Sequence, residues 1–399
     1  MGDDPEATGW AFVARGNHLL ARGRLEERVD NTSEALQFAI DAGALSMAAF
    51  HASDLARGLL ALGRIADSRA TVREGLSYTG IPNTGAAVRL SAVLLAVRSG
   101  DLQAADIHLE RAKELIPTLE HRSGLEAPPI LVEYLLAKHE PEAALNLLIG
   151  TLTAHSVDPR VTDEILVWGA RAAADLAETA RDSHDPASLT TAQAAFADLV
   201  AARTNLPHPP FETLVPDDLV QPARQALFKA EAQRCAAQGP TGDAWRNASQ
   251  RCEAAGMRWE QAIASWRWAQ ALLAEGAIQS DVAAPLRSAH RFAAEEGAAL
   301  LRRDIEALAA SCRIPLDEPA EPAEPESEAA PFNALTKREH EVLSHLVAGR
   351  TYSEIAEALF ISEKTVSVHV SNLLRKTGTS SRREVSALAL RTSQTTAQD

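Results

Sequence analysis

Residues 335–370 decide the fold of one end of this chain. They read Leu-Thr-Lys-Arg-Glu-His-Glu-Val-Leu from 335 to 343, Gly-Arg-Thr-Tyr-Ser-Glu-Ile-Ala from 349 to 356, and Leu-Phe-Ile-Ser-Glu-Lys-Thr-Val-Ser-Val-His-Val from 359 to 370. A Thr or Ser followed three residues later by Glu can cap a helix start, and this pattern begins at Thr336, Thr351 and Ser381. Ser362 offers a simpler N-cap. Apolar residues follow each cap at helical spacing, so the stretch predicts four short helices.

The second and third of these helices are separated by very few residues. Only Phe360 and Ile361 stand between the second helix and the Ser362 cap, so the two helices must cross sharply. Ala356 is small and lies on the predicted inner face, where it allows a close crossing. This arrangement predicts a helix-turn-helix.

The third helix has one apolar and one polar face. At 100° per residue, Val366, Val370, Leu373 and Leu374 form the apolar arc. Val368 is an exception, because it is apolar on the side expected to face water, where it could meet a thymine methyl group. An ordinary amphipathic helix with one exposed Val is the alternative, but the short turn and the caps favour DNA recognition. The predicted DNA contacts on this helix are Lys364, Thr365, Ser367, Val368, Ser371, Asn372 and Arg375.

These residues resemble the LuxR-type DNA-binding domain of bacterial transcription regulators. The match includes Leu335-Thr336, Glu354-Ile355-Ala356, Thr365-Val366 and His369-Val370. The resemblance implies a third helix in the major groove, dimerisation through the fourth helix and an operator with two half-sites. Arg338, Lys376 and Arg382 are expected to lie near phosphates.

Four positions depart from the family pattern. The family usually has Lys where Ser367 stands, and often a basic or polar residue at Ser371. It prefers an apolar pair where this chain has Thr377 and Thr379. Fewer positive charges should weaken the attraction to phosphate and reduce the dependence of binding on salt.

The net charge of −15 is unevenly distributed along the chain. From Pro331 onward there are nine basic and seven acidic residues, whereas the first 330 residues hold 30 basic and 47 acidic ones. The acidity therefore belongs to the body, and the end that carries the helix-turn-helix pattern is mildly basic.

The body is rich in Ala and Leu, has helical periodicity and shows no convincing strand. Four turn-like anchors begin at Gly23, Gly63, Gly100 and His139, spaced 40, 37 and 39 residues apart. Twelve residues after each anchor stands a small residue: Ala35, Gly75, Ala112 or Thr151. This pattern resembles degenerate tetratricopeptide repeats, and generic Ala-rich helical hairpins are the alternative. The predicted fold class is all-α: a helical repeat solenoid followed by a four-helix LuxR-type domain.

Changes in composition divide the chain into predicted regions. Residues 1–204 form a first repeat region, a Pro-rich interruption covers 205–222, and helices resume over 223–314. An acidic Pro-rich linker spans 315–331, the DNA-binding domain 332–392 and a disordered tail 393–399. In the second region Trp259 and Trp266 share a helix face, either as core residues or as an aromatic wall that binds an effector. Residues 259–314 also resemble the segment that precedes the DNA-binding domain in large ATP-binding LuxR-family regulators.

Several classes of function lack their sequence signals. No phosphate-binding loop matches the pattern that an ATPase domain requires, so the expectation is a regulator without that domain and without a cofactor. The histidines are scattered, the three cysteines lack metal-ligand spacing, and no nucleophile has a catalytic context, so neither an enzyme nor a metal site is expected. The chain has neither a signal-peptide core nor an apolar run that could span a bilayer, and we expect it in the cytoplasm without a membrane partner.

Together these patterns predict a sequence-specific, DNA-binding transcription regulator. The expected partners are double-stranded promoter or operator DNA, bound as a homodimer, and RNA polymerase or another protein. The helical body is expected to bind an effector or a partner. The alternative is a tetratricopeptide-like interaction scaffold with only residual DNA binding.

Overall fold

The computed structural model describes residues 5–78, 81–117, 127–154, 159–206, 209–213, 217–237, 239–316, 337–348, 350–359, 361–377, 379, 385 and 388–389. The chain divides into two compact units, Met1–Glu318 and Pro319–Asp399. Only helices, turns and bends occur among the described residues, and the predicted all-α fold class is confirmed. Apart from Pro315 and Leu316, the predicted acidic linker lies outside the described residues.

The described residues of the first unit form fifteen helices, and most of these helices pack against the next one along the chain. They are α1 (Pro5–Ala21), α2 (Leu25–Asp41), α3 (Leu45–Ala61), α4 (Ile65–Gly75), α5 (Pro82–Ser99), α6 (Leu102–Leu115), α7 (Ala127–Ala137), α8 (Pro141–Ala154), α9 (Pro159–Asp182), α10 (Pro186–Thr204), α11 (Val220–Ala236), α12 (Gly242–Ala254), α13 (Arg258–Ala274), α14 (Gln279–Glu296) and α15 (Ala299–Cys312).

The four predicted anchors are the turns inside the first four helix pairs. Gly23, Gly63, Gly100 and His139 have φ values of 68°, 85°, 81° and 60°, and a new helix begins two residues after each. At every anchor the following N–H donates to a carbonyl five residues back, as Arg64 does to Leu59 at 2.8 Å. This is the hydrogen-bond pattern of a helix ending in a left-handed residue. The repeat period predicted from the anchors is therefore a period of helix pairs.

Small residues at a fixed distance from each anchor allow these pairs to pack closely. Ala35 and Ala112 are fully buried, and Thr151 is nearly so. A Cβ on Gly75 would stand 2.9 Å from the Cβ of Ala52, so no larger residue fits there. The offset of twelve residues thus places the closest approach between the two helices of a pair.

The first unit also closes on itself, which the repeat pattern did not predict. A Cβ on Gly23 would lie 3.0 Å from Ala255, and one on Gly100 would lie 3.1 Å from Ala299. The turns of the early repeats therefore pack against the last helices. One hydrophobic core runs from Ala56 through Leu131 and continues in Trp259 to Ile314.

The turn at Gly63 offers a test of this closure. A Cβ there would stand 2.5 Å from Cε2 of Phe292 in α14, and the φ of 85° already disfavours any L side chain. We expect Gly63→Ala to combine backbone strain of about 1–2 kcal/mol with overpacking of about 1–3 kcal/mol. Urea unfolding followed by tryptophan emission measures the loss of free energy of unfolding.

Gly43→Ala is the matched control for that substitution. Gly43 has a φ of 66°, but its Cβ would meet nothing within 4 Å. The loss of free energy of unfolding in Gly43→Ala should therefore come from backbone strain alone. Equal losses in the two variants would contradict the packing of the early repeats on α14.

The Pro-rich interruption at 205–222 is held against α9 by one buried carboxylate. Asp163 accepts hydrogen bonds from Arg203 at 3.0 and 3.2 Å, from the N–H of Phe211 at 3.0 Å and from the side chain of Gln221 at 3.0 Å. The N–H of Leu219 donates to the carbonyl of Ala21 in α1 at 2.9 Å. Helices on both sides of the interruption therefore pack within one unit, whereas its predicted boundaries at 204 and 222 stay predictions.

Candidate nucleic-acid interface

Three described helices build the second unit: α16 (Lys337–Val347), α17 (Tyr352–Leu359) and α18 (Glu363–Lys376). Their apolar faces enclose a small core in which Val342, Ile355, Val366 and Leu373 have no exposed surface. Val385 and Ala389, from the predicted fourth helix, belong to the same core. Apart from Val385, Leu388 and Ala389, that predicted helix lies outside the described residues, as does its predicted start at Ser381.

The start of α17 is fixed by the capping box that the sequence predicts. The N–H of Thr351 donates to the Glu354 carboxylate at 2.7 Å, and the N–H of Glu354 donates to the Thr351 hydroxyl at 3.4 Å. Each residue thereby satisfies a backbone donor that the helix itself leaves unpaired. The prediction for this cap is confirmed, whereas the one at Thr336 falls outside the described residues.

The turn between α17 and α18 is as short as predicted. The helices end and begin at Leu359 and Glu363, and the N–H of Ile361 donates to the carbonyl of Ala356 at 3.0 Å. Ala356 is buried at the crossing. The helix-turn-helix is therefore confirmed, with the small residue where the two helices approach each other.

The orientation of α18 follows from its buried residues. Val366, Val370 and Leu373 are at most 2 % exposed, which places the predicted apolar arc in the core. Ser367 is exposed. On a helix with 3.6 residues per turn, the backbone positions opposite this arc include most of the predicted contact set. The side chains of Lys364, Thr365, Val368, Ser371, Asn372, Arg375 and Lys376 lie outside the described part, and so does Arg382 entirely.

Arg338 has a structural role that sequence reasoning missed. Its guanidinium donates to the carbonyl of Leu359 and to the carboxylate of Glu341, both at 2.6 Å. It therefore ties α16 to the last carbonyl of α17, directly before the turn that presents α18. Its predicted place near a phosphate stays a prediction, and the two roles can be separated by experiment.

We expect Arg338→Met to loosen this unit by about 1–2 kcal/mol, because a charge-assisted hydrogen bond to Leu359 is lost. Hydrogen exchange of peptides within residues 337–377, measured on the full chain, should become faster. Arg338→Lys keeps the charge but lacks the planar group that reaches both acceptors, so hydrogen exchange should become faster in this variant as well. Unchanged exchange in both variants, with a weaker salt dependence of DNA binding, would assign Arg338 to phosphate contact alone.

Thr377 and Thr379 stand where the family prefers an apolar pair, and local hydrogen bonds compensate for their polar groups. Thr377 is buried, its hydroxyl donates to the carbonyl of Leu373 at 2.8 Å, and the two hydroxyls lie 2.9 Å apart. Both polar groups are thus paired where the family prefers an apolar pair. Burying them here costs little, because the hydrogen bonds lost to water are replaced.

The comparisons with known proteins concern this unit. Residues 333–389 match the family model "Bacterial regulatory proteins, luxR family". The spore germination protein GerE of Bacillus subtilis is 51 % identical over 57 residues, which are 14 % of this chain and 77 % of GerE. The chain belongs to the luxR family of bacterial regulatory proteins. The uncharacterized transcriptional regulatory protein YhcZ of the same organism is 47 % identical over 60 residues. The nitrate/nitrite response regulator protein NarP of Escherichia coli is 50 % identical over 56 residues.

The matches to these relatives cover a small part of the chain. The matched segments are 15 % of this chain and 28 % of YhcZ, and 14 % of this chain and 26 % of NarP. The chain thus spans less than a third of the length of these two luxR-family relatives. Whatever the body does has to be argued from its own residues.

Two further kinds of site are absent from the described residues. In that part of the chain no group of three or more His, Cys, Asp or Glu side chains is arranged to hold a metal ion. Nor is any described helix both long and apolar enough to cross a membrane.

Proposed function

We propose that this luxR-family protein is a sequence-specific transcription regulator that binds double-stranded promoter or operator DNA through α18. The observation that carries the proposal is the packing of α18. Its apolar face is buried against α16 and α17, so its other face is available to a groove. A helix fits the major groove of B-form DNA, where each base pair has its own pattern of donors and acceptors. Because DNA is its ligand, we place the protein in the cytoplasm.

The predicted contacts divide into two kinds. Val368, Ser371 and Asn372 are short side chains suited to base edges and thymine methyl groups, and Arg375 extends the same face. Lys364, Thr365, Ser367, Lys376 and Arg382 are assigned mainly to phosphates, which fix the orientation of the helix without reading sequence. With Ser367 in place of a Lys, the protein should lose less affinity with added salt than a fully basic relative.

Pairing of two copies is part of the proposal. A single helix contacts only a few base pairs, and a dimer doubles the contacts by reading two half-sites related by two-fold symmetry. The acidic body cannot itself favour DNA, since the first 330 residues hold 47 acidic and 30 basic residues. We assign it a role in binding an effector or a protein partner such as RNA polymerase.

The second candidate function is a protein-interaction scaffold with residual DNA binding. It is supported by the size and acidity of the helical body, which makes up most of the chain. Helical repeats of this kind often present extended surfaces to other proteins.

Selection from a random duplex pool separates the two functions. The full chain is incubated with the pool at physiological salt, and bound duplexes are sequenced through several rounds. A regulator should enrich one two-fold symmetric site. Binding without enrichment, lost steeply as salt is raised, would favour the scaffold.

A further inference from the structure

A cavity of about 890 Å³ lies inside the first unit, where the early repeats meet α9 and the last helices. Its wall comes from α5, α7, α8, α9, α13 and α15. This volume is within the range of small-molecule sites. Trp259 and Trp266, the two candidates for an aromatic wall, are both buried in the core and line this cavity.

A second, much smaller cavity of about 50 Å³ shares part of this wall. Trp168, Arg171 and Ile263 line both spaces, and Trp245 and Glu260 are among the other residues that line the small one. A ligand could therefore place a compact polar head in the small cavity and a larger group in the big one.

Most charges around these spaces are paired within the protein. Arg224 contacts Glu164 at 2.7 Å, and Arg234 contacts Glu231 at 2.8 Å. Buried charges are costly unless they are paired in this way. Two charged side chains in the wall of the small cavity, those of Arg171 and Glu260, have no ion-pair partner among the described residues.

Arg171 is the first exception. Its guanidinium covers Trp168 with 5.4 Å between Cζ and the ring centroid, and its Nε is buried without an acceptor. Among the described residues no carboxylate pairs with it. Asp175, one turn further along α9, is already bound by Arg234 at 2.6 Å and by Arg267 at 3.1 Å. The half-buried guanidinium of Arg171 therefore has no carboxylate partner among the described residues.

Glu260 is the second exception, with the opposite charge. No described cation lies within salt-bridge distance of its carboxylate. Burial raises the pKa of Glu260, with the charge of Arg98 opposing the shift. Arg98 itself is held by Glu133 at 2.6 Å and lies over the ring of Trp259 at 4.3 Å.

We propose that the small cavity binds the head group of a zwitterion of the α-amino-acid type, with its carboxylate on Arg171 and its ammonium on Glu260. The two leftover charges are opposite and do not pair with each other, so a ligand that carries both charges can compensate both. A simple anion or a simple cation would leave one of these two half-buried charges without a partner. Guanidinium and carboxylate form strong paired hydrogen bonds, which supports this orientation.

The larger cavity accommodates the rest of such a ligand. Ile263, Trp266 and Leu301 give it apolar surface beside the shared wall. The amino-acid proposal names the class of effector that the helical body would bind, and it rests on the effector-binding function proposed above. Binding is nevertheless measurable without DNA, so failure here and failure of DNA recognition are distinguishable.

The test uses the full chain and the twenty free amino acids as probes, each at 5 mM in a thermal unfolding assay followed by titration calorimetry. At least one should raise the melting temperature by about 2 °C or more, because a ligand that binds only the folded state stabilises it. The amide of that amino acid lacks the carboxylate, and its N-acetyl derivative lacks the ammonium. Each should bind about 30-fold more weakly or worse, since one charge of the site is then left unpaired.

Two pairs of variants complete the test. Arg171→Gln and Glu260→Gln should each weaken binding of the amino acid by about 30-fold or more. Glu260→Gln should also raise the melting temperature of the free protein, because it removes a half-buried carboxylate that no described cation pairs. Arg251→Gln and Glu253→Gln, at exposed positions that line neither cavity, should bind like the original chain. Absence of any amino-acid effect, equal binding of the blocked derivatives, or unchanged binding in the Arg171 and Glu260 variants would each overturn the proposal.

Discussion

Val368→Glu combined with Arg375→Ala should lower the affinity for the selected duplex by about 100-fold or more. Each good contact to a base edge is worth about 1–3 kcal/mol, and a carboxylate placed toward the phosphates adds repulsion. Both positions lie on the side of α18 away from the buried Val366 and Val370. Equilibrium binding to the selected duplex and to a scrambled duplex, at two salt concentrations, measures the effect.

The controls separate recognition from folding. Arg303→Ala removes one exposed Arg from the body and should leave the affinity unchanged. Hydrogen exchange within residues 337–377 should be the same in the double variant as in the original chain, because its two positions lie across α18 from the buried residues that hold the helix in the unit. If the double variant kept its preference for the selected duplex over the scrambled one, α18 would not be the reading helix.

Asp163→Ala should lower the free energy of unfolding of the body by about 3–5 kcal/mol, the usual cost of removing one partner from a buried ion pair. Asp163 and Arg203 are each 1 % exposed, and the substitution would remove the carboxylate to which the Arg203 guanidinium donates. The N–H of Phe211 and the side chain of Gln221 would lose their acceptor as well. The effect is therefore larger than that of an ordinary surface substitution.

Urea unfolding measures this loss, because all six tryptophans lie in the first unit and report on it alone. Asp198→Ala is the matched control, since Asp198 is exposed on α10. It should change the stability by no more than about 0.5 kcal/mol. A loss below 1 kcal/mol for Asp163→Ala would contradict the role of this carboxylate in holding the Pro-rich segment.

Local patterns were predictable from the sequence because their causes are local. The Thr351 and Glu354 cap, the short turn before Ser362 and the turn at Gly63 each depend on residues within a few positions of one another. A period of about 39 residues likewise reflects one pair of helices after another. These features can be predicted without knowing which helices contact one another in the folded chain.

Contacts between distant parts of the chain were not predictable in the same way. The packing of Gly63 on Phe292, the bond between Asp163 and Gln221, and the shared cavity wall of Arg171 and Glu260 join residues from different helix pairs. No single-sequence pattern marks such partners. The role of Arg338 was missed for a related reason, because a basic residue near a DNA-binding helix is equally suited to a phosphate and to a carbonyl.

The two units divide the proposed work of the protein. The C-terminal unit is a small, mildly basic fold that includes α18, and the N-terminal unit is a helical body in which Arg171 and Glu260 line one small cavity. An effector bound in the body would be the signal, and occupancy of a promoter would be the response.

A genome-wide footprint of the tagged full chain, beside the variant Val368→Glu with Arg375→Ala, tests the central claim most directly. The account predicts discrete protected sites that share a two-fold symmetric sequence and disappear in the variant. Protection that is spread without a common sequence, or sites that persist in the variant, would contradict the assignment of α18 as the element that reads DNA.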